Sequence, residues 1–510
     1  MYKFLTISLF LSLFIGCNKD EDEIFDGTAE TPTETTKSVD ENKDGKLNIL
    51  ILGTSQSINS GYNGFASDKI AQELEKILKQ DESLDLEIKV SSENIYKAKA
   101  VEYGLGGRGD KYTANYYTHS LTQYYYWPDG QTQRWNNLSN QTDNKWDYVI
   151  IGADPYIVEK LPGYFALGVN KIASKVEEGG GKPMLLMVWP EDKKTTTPIA
   201  HFEEFAYRAA NGAKTALTTI PAGLAWQRLT SGKKDTSTQH PSPNGAYLSA
   251  ASIYSELFDR SAEKSNYVFD NELAAIAFSS KTSEESKIHY TGNRNFISPF
   301  AGCDISNSTI TYNQTGSSSE GGILGGLNHV FNKSSKNLKN SVTAPISFNF
   351  GRANKNFEAS KQYKIDPTKF NFSFGFPMQD HGNTGNTSML YGIDKRYDGD
   401  YKETDLGVGV FMVKNLQLPY GRAIPIRTLY AQLKEAIPSF SAYKDGWHMS
   451  SDLDIASGAF IYTLLTGECV LGSEPTNINS SEWQSWMAQK IGHDTAYTLM
   501  TLKASPQTCN

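Results

Sequence analysis

The hydrophobic pattern from residue 47 to about residue 260 alternates between two kinds of apolar segment. Continuous apolar runs at 47–52, 148–152 and 184–188 are typical of strands that are buried on both faces of a parallel sheet. Between these runs, apolar residues recur every three or four positions, which predicts amphipathic helices. The predicted helices cover 70–78, 164–176, 202–217 and 246–258. Strands and helices that alternate in this way predict a three-layer α/β/α fold built on a parallel sheet.

The second half of the chain repeats this pattern in a diverged form. Residues 423–467 parallel residues 219–258, because each segment has an apolar strand with a proline, a histidine followed two positions later by a serine, and a closing helix. Residues 310–331 parallel the opening stretch, and residues 407–413 would match the third apolar run. We therefore predict a diverged second unit of the same α/β kind. The alternative is a β-sandwich with a C-terminal helix, which the Ser-, Asn- and Thr-rich region 300–390 also fits.

The segment 1–16 has the form of an export signal, with one lysine near its start and an apolar stretch too short to span a bilayer. It ends in Phe-Ile-Gly-Cys, which resembles the lipobox of bacterial lipoproteins and predicts lipidation at Cys17. The alternative is an ordinary cleaved signal with an incidental cysteine. The acidic run after Cys17 resembles the sorting signal of lipoproteins displayed outside the outer membrane. We expect a lipid-anchored protein of the outer membrane that is exposed at the cell surface.

Negative charge is concentrated directly after this signal. Residues 18–45 hold ten acidic residues and three lysines, a balance of -7 within a total net charge of -8. So polar a segment predicts a solvated tether. The rest of the chain is close to neutral and has no basic tract or basic–aromatic patch, which argues against a nucleic-acid partner. The predicted parts are a signal with its lipidated cysteine (1–17), an acidic tether (18–45), a first α/β domain (46–262) and a second domain (263–510).

Three further cysteines, Cys303, Cys469 and Cys509, would permit one disulfide in an exported chain, and the sequence leaves the pair open. Their spacing does not indicate a metal site. We expect neither a metal nor another cofactor.

Ser55 directly follows the first predicted strand. It therefore lies at the carboxyl edge of the predicted sheet, where open α/β folds bind ligands. A serine nucleophile needs a base, and the base needs an orienting group. His240, just before the last predicted helix of the first domain, is the candidate base, and Asp235 is the candidate orienting group. The alternatives are a turn residue at 55, a packing residue at 240 and a solvated carboxylate at 235.

These residues lie in motifs that resemble those of the SGNH hydrolases, the GDSL-type esterase superfamily. Gly-Thr-Ser at 53–55 is similar to the first conserved block of that family. Residues 103–113 look like the second block, residues 146–155 look like the third, and His240 looks like the base of the fifth. The resemblance spans 47–258 and implies an SGNH/flavodoxin-like sheet and an esterase that needs no cofactor.

The resemblance also implies a role for each site residue. Ser55 would be the nucleophile, and the backbone N–H of Gly106 or Gly107 would bind the oxyanion. The chain departs from the family pattern at two places. Asp154 stands where the third block usually has an asparagine that donates to the oxyanion, and Ser237 stands where the fifth block usually has the aspartate.

The second half shows the opposite combination of motifs. Asp445 precedes His448 by three residues, which is the family's usual spacing, whereas the serine position is ambiguous between Ser317 and Ser318. These four residues are the candidate site of the second unit.

Aromatic residues are dense at 116–130 and include Trp135 nearby. They would suit either stacking on sugar rings or packing in a core. The sequence therefore predicts a surface lipoprotein that acts as a serine esterase on acylated glycans. The alternatives are a non-catalytic glycan-binding protein built on degenerate SGNH-like units and a purely structural surface protein.

Overall fold

The computed structural model describes two parallel sheets and the helices around them. The described residues are 39–40, 43–58, 69–96, 98–104, 111–117, 120–127, 129–190, 199–230, 233–234, 241–281, 309–316, 322–335, 337–340, 346–347, 372–375, 388–391, 423–424, 426–441, 444 and 449–503. The predicted export signal, Cys17 and most of the predicted tether lie outside the described residues.

The first half forms the predicted parallel sheet. Its strands are β1 Lys46–Gly53, β2 Glu87–Asn94, β3 Ala98–Gly104, β4 Lys111–Tyr117, β5 Tyr148–Ile151, β6 Lys182–Leu186 and β7 Thr218–Ile220. Its helices are α1 Ser55–Ile58, α2 Lys69–Lys79, α3 Leu121–Tyr126, α4 Gln131–Leu138, α5 Pro155–Lys160, α6 Pro162–Glu178, α7 Ile199–Gly212, α8 Ala222–Arg228, α9 Pro243–Phe258 and α10 Asn271–Ser280. Five strands pair in parallel in the order β2-β1-β5-β6-β7, and β3 pairs with β4 in an antiparallel hairpin.

Side chains of β1 point alternately to two separate cores. Leu47, Ile49 and Ile51 pack in a core with residues of α2, α9 and α10. Leu50 and Leu52 pack in the other core, with residues of α3, α6 and α7. Because a strand alternates its side chains between the two faces of a sheet, this division confirms the predicted three-layer α/β/α arrangement.

The second half forms another parallel sheet. Its strands are β8 Thr309–Gly316, β9 Asn337–Asn340, β10 Ile346–Ser347, β11 Phe372–Gly375, β12 Ser388–Tyr391 and β13 Ala423–Ile424. Its helices are α11 Gly322–Phe331, α12 Ile426–Ala436, α13 Ser451–Thr466 and α14 Ser481–Thr501. The order is β10-β8-β11-β12-β13, with β9 also paired to β8, and each of these pairs is parallel.

The strand order of the second sheet repeats that of the first. Numbered from β1 or from β8, each sheet has the order 2-1-3-4-5, with β9 and β10 sharing position 2. The β-sandwich alternative is wrong, because the sheets of such sandwiches are antiparallel. β12 occupies position 4, for which we had predicted residues 407–413, a segment outside the described residues. That the second half is a diverged SGNH-like unit stays a prediction.

Glycines let α11, α13 and α14 pack closely. A Cβ atom on Gly326 would lie 1.9 Å from the carbonyl oxygen of Asp454, and one on Gly458 would lie 2.3 Å from the backbone carbon of Gly326. A Cβ atom on Gly492 would lie 2.1 Å from the carbonyl oxygen of Ala456. No side chain fits at such distances, so these contacts require glycine.

A polar network joins the two halves of the chain. The Lys171 ammonium on α6 lies 2.7 Å from the Glu435 carboxylate on α12. The hydroxyls of Tyr125 and Tyr126 donate to the same carboxylate at 2.7 Å and 2.9 Å. Burial alone would raise the pKa of Glu435, but Lys171 and the two tyrosines outweigh burial and hold the pKa below its ordinary value.

The end of the acidic segment contacts the first domain. Val39 is buried in the core that contains Leu47, and the Asp40 carboxylate accepts hydrogen bonds from the backbone N–H groups of Asp44 and Gly45. One valine and a turn therefore attach the end of the acidic segment to the first domain. A valine among charged residues contributes too little to the mean hydropathy of this segment to predict such an anchor.

Candidate active site

Ser55 lies where the sequence predicts it, directly after the carboxyl end of β1. Its neighbours Thr54, Gln56 and Ser57 are buried, whereas Ser55 is partly exposed. The chain turns into the one-turn helix α1 here, because the N–H groups of Ser57 and Ile58 both donate to the Thr54 carbonyl at 3.0 Å. Ser55 is therefore the accessible side chain of Thr54–Ser57.

Two glycines make room for this turn. Cβ atoms built on Gly53 and Gly152 would each lie 2.3 Å from the Cβ atom of Ser57. The Ser57 hydroxyl donates to the carbonyl of Ala153 at 3.1 Å, which ties the end of β1 to the chain after β5. Gly53 belongs to the Gly-Thr-Ser motif. Nothing in the sequence indicates that residue 152 must also be a glycine.

Asp154 lies on the same edge of the sheet but has a structural partner. It is the N-cap of α5, and its Oδ1 atom accepts from the backbone N–H of Tyr156 at 2.8 Å. An ionised carboxylate accepts hydrogen bonds and cannot donate one to an oxyanion. The geometry thus shows a helix cap, and the participation of Asp154 in catalysis stays a prediction.

Trp189 contacts the residue that follows Ser55. The Gln56 side chain donates from Nε2 to the Trp189 carbonyl at 3.1 Å, and both residues are buried. Trp189 also belongs to the hydrophobic core that contains Ala246 and Tyr247 of α9. The hydrogen bond from Gln56 to Trp189 is a contact that sequence reasoning missed.

The start of α9 is well defined. Pro241 is buried, and the Ser242 hydroxyl caps the helix by accepting from the Gly245 N–H at 3.2 Å. His240 immediately precedes these residues in the sequence but is itself outside the described residues, as is Asp235. The structure thus describes the residues that follow the candidate base, and the role of His240 itself stays a prediction.

The other predicted site residues also lie outside the described residues. They are Gly106, Gly107, Ser317, Ser318, Asp445, His448 and the lipidation residue Cys17. Their predicted roles stay predictions.

The second half repeats one local feature of the first. Ser450 caps α13 by accepting from the N–H of Leu453, just as Ser242 caps α9. Each cap serine stands two residues after a candidate histidine, His448 or His240. The matching position of the serine in both halves is what the sequence comparison predicted.

Asp454, in the first turn of α13, is a buried carboxyl that the sequence analysis did not single out. It is 7% exposed, its Oδ1 atom has no hydrogen-bond partner among the described residues, and burial raises its pKa to about 7. Its Oδ2 atom lies 1.9 Å from the position that a Cβ atom of Gly322 would take at the start of α11. Asp454 lies four residues after the cap serine Ser450. In the first half, the residue four positions after the cap serine Ser242 is Ala246, which is also buried.

The tyrosine-rich segment belongs to the core. Tyr124, Tyr125 and Trp127 are buried, and the Trp135 indole N–H donates to the Tyr125 carbonyl at 3.0 Å. The Tyr126 hydroxyl is bound to Glu435. For these residues the choice between sugar stacking and core packing is settled in favour of the core.

Cys469 is disulfide-bonded, and its partner is outside the described residues.

Across the described ranges no helix is long and apolar enough to cross a bilayer. Within the same ranges no group of three or more His, Cys, Asp or Glu side chains is arranged to hold a metal ion.

No family model and no curated protein matches the chain. The solved structures to which it is similar include three that each cover less than half of the chain. A proposed SGNH hydrolase from Slackia heliotrinireducens is 15% identical with a TM-score of 0.28, over 41% of this chain and 97% of that one. A DUF4886 family protein from Bacteroides uniformis is 14% identical with a TM-score of 0.31, over 46% and 94%. TesA is 16% identical with a TM-score of 0.28, over 41% and 97%. At these TM-scores the assignment of site residues still depends on the sequence motifs.

Proposed function

We propose that this protein is a lipoprotein of the cell surface that acts as an SGNH-type serine esterase and removes acyl groups, in particular acetyl, from glycans. The observation that carries the proposal is the position of Ser55. It is a partly exposed serine at the carboxyl end of β1, an interior strand of the sheet, and its neighbour Gln56 is hydrogen-bonded to Trp189.

In this mechanism the Ser55 hydroxyl attacks the ester carbonyl while the imidazole of His240 accepts its proton. Asp235 would orient the imidazole, and backbone N–H groups at Ser55 and at Gly106 or Gly107 would bind the oxyanion. His240 would then give the proton to the sugar oxygen as its bond to the acyl carbon breaks, so that the sugar leaves with a hydroxyl. Water would release the acyl group from Ser55 in a second round of the same steps.

The test is hydrolysis of acetyl esters, both p-nitrophenyl acetate and acetylated oligosaccharides, by the purified protein. We expect Ser55→Ala and His240→Ala to lose at least about a thousandfold in kcat, because triad members act as a unit. Ser279→Ala, which changes an exposed serine on α10, is the matched control and should keep full activity. Equal rates for all four proteins would refute the proposed function.

One observation favours a non-catalytic glycan-binding protein instead. Asp154 is an acceptor where an SGNH site usually has an oxyanion donor. On this second proposal, the wild type would bind acetylated glycans without hydrolysing them, and Ser55→Ala would bind equally well. The same experiment therefore separates the two functions.

The surface location rests on the N-terminal motif. Lipidation at Cys17 is tested by feeding cells a radioactive fatty acid and isolating the protein. We expect label in the wild type and none in Cys17→Ser. Label in both proteins, or in neither, would refute the anchor.

A further inference from the structure

Gln56 joins the turn that holds Ser55 to a strand that is not adjacent to it. Its Nε2 atom donates to the Trp189 carbonyl at 3.1 Å. Trp189 lies three residues after β6, and in the sheet β5 stands between β1 and β6. The hydroxyl of Ser57, by contrast, donates at 3.1 Å to the carbonyl of Ala153, which lies two residues after β5. The Gln56 side chain therefore connects the ends of two strands that do not pair with each other.

The acceptor of this hydrogen bond is itself held in place. The N–H of Met187 donates to the Ile220 carbonyl at 3.0 Å, and the Met187 carbonyl accepts from the Gly223 N–H at 3.1 Å. Trp189 is buried, and its ring stacks on the Trp226 ring with the centres 5.9 Å apart and the planes differing by 8°. Gln56 is thus bonded to a fixed carbonyl.

The carboxamide of Gln56 makes this bond and no other among the described residues. The residue is 4% exposed, and its Oε1 atom has no hydrogen-bond partner. The opposite orientation of the carboxamide would place Oε1 against the Trp189 carbonyl oxygen, where two acceptors repel each other. A single donor therefore decides how the side chain lies, and the buried Oε1 atom left without a partner lowers stability. Proteins tolerate such a local loss mainly at functional sites.

We propose that Gln56 is a positioning residue for the nucleophile. The inference rests on the proposed esterase function, which uses both the hydroxyl and the backbone N–H of Ser55. Because Gln56 is fixed against the Trp189 carbonyl, it sets the direction in which these two groups of the preceding residue point. It does not touch substrate. Its loss should therefore lower kcat without changing KM.

Gln56→Glu gives a test that depends on pH. A protonated carboxyl group has nearly the shape of a carboxamide and can donate to the Trp189 carbonyl, whereas an ionised carboxylate can only accept. With p-nitrophenyl acetate, we expect the kcat of this variant to match that of the wild type to within about twofold at pH 5 and to be at least about tenfold lower at pH 9. KM should be the same for both proteins at each pH. A merely structural role would lower the melting temperature without this dependence of the kcat ratio on pH.

Gln56→Met tests the donor without introducing a charge. Methionine has a similar length and no donor, and it also removes the unpartnered Oε1 atom. We expect kcat to be about tenfold lower than in the wild type at every pH, with KM changed by less than about twofold. Because the substitution removes a buried oxygen without a partner, the loss of kcat would not follow from lower stability.

The matched control is Gln432→Glu. Gln432 is also buried and donates from Nε2 to the Thr495 hydroxyl at 2.7 Å, but it lies on α12 in the second half of the chain. This variant should keep the kcat of the wild type at every pH. A kcat ratio for Gln56→Glu that does not change between pH 5 and pH 9, a wild-type kcat in Gln56→Met, or an equal loss in Gln432→Glu would overturn the positioning role.

Amide hydrogen exchange separates this inference from the proposed function. The N–H groups of Ser57 and Ile58 donate to the Thr54 carbonyl at 3.0 Å. Both should exchange at least about tenfold faster in Gln56→Met than in the wild type, and at the wild-type rate in Gln432→Glu. If the wild type hydrolyses no ester, the esterase proposal fails and exchange alone decides whether Gln56 fixes this turn. Unchanged exchange at both amides in Gln56→Met would then overturn the inference.

Discussion

Replacing Asp454 by asparagine should stabilise the folded protein at pH 8 and change little at pH 4. Burial raises the pKa of this carboxyl to about 7, against an ordinary value of 3.8. The unfolded chain therefore loses the proton at lower pH than the folded protein does, and ionisation favours unfolding. The contribution of Asp454 to the free energy of unfolding therefore falls as the pH rises from about 4 to about 7, and it is constant above that range. Asparagine does not ionise and so removes this loss.

The size of the effect follows from the two pKa values. They differ by about three pH units, and each unit corresponds to about 1.4 kcal/mol, so ionised Asp454 lowers the free energy of unfolding by up to about 4 kcal/mol at pH 8. The substitution also removes a negative charge from the first turn of α13, where it is favourable by about 0.5–1 kcal/mol. We expect a net gain of about 3 kcal/mol at pH 8 and less than about 1 kcal/mol at pH 4.

Urea unfolding at pH 4, 6 and 8 would measure this difference. Asp452→Asn is the control, because Asp452 lies in the same turn of α13 and its Oδ1 atom accepts from the Ser485 hydroxyl at 2.7 Å. That variant should lose about 1 kcal/mol at pH 8, since it removes a partnered carboxylate. If Asp454→Asn were less stable than wild type at pH 8 and equal to it at pH 4, the folded protein would be stabilised by an ionised Asp454, and the reasoning would be wrong.

Three further changes test contacts made by the second half of the chain. Glu435→Gln should cost about 2–3 kcal/mol at pH 7, because it leaves the Lys171 ammonium without its carboxylate. The cost should shrink as the pH falls through the lowered pKa of Glu435, and a cost independent of pH would contradict the ion pair. Gly458→Val should lower the free energy of unfolding by about 3 kcal/mol by forcing α13 away from α11, whereas Gly325→Ala, with open space around its Cβ position, should cost nothing in a thermal melt. Cys469→Ser should cost about 2–4 kcal/mol in the same melt, and the loss should vanish when the wild type is measured in reducing agent.

Three strands of the first sheet and four helices of the first half could be predicted because their signal is periodic and local. The runs at 47–52 and 148–152 became β1 and β5, since a strand buried on both faces must be apolar throughout. The helix predicted over 202–217 instead ends at Gly212. A Cβ atom on Gly212 would lie 2.2 Å from the carbonyl oxygen of Leu502, so this position requires glycine because of a contact almost 300 residues away. Such a requirement leaves no local pattern in the sequence.

The candidate site also has a part that the sequence predicts and a part that it does not. Ser55 could be placed from its strand and motif alone. The contacts around it, from Ser57 to Ala153 and from Gln56 to Trp189, join α1 to the residues that follow β5 and β6. The burial of Asp454 likewise depends on the close approach of α11. The sequence alone shows only an acidic residue in the first turn of a helix, where such residues are common. Pairings of this kind are decided by tertiary packing, which periodicity does not report.

A chain that ends at residue 281 should not fold stably, although the sequence predicts a separate domain over 46–262. The core that contains Leu50 and Leu52 also contains residues of α11, α12, α13 and α14. Gly163 on α6 fits directly against α14, since a Cβ atom there would lie 2.6 Å from the Leu499 carbonyl oxygen. Removing the second half would expose this apolar face of α6 and α7 to water, and such faces promote aggregation. We expect residues 46–281 to bind a hydrophobic dye and to lack a cooperative melt, whereas residues 46–510 melt cooperatively. A monomeric 46–281 fragment with an unchanged melting temperature would show instead that the first sheet is stable without the helices that pack against it.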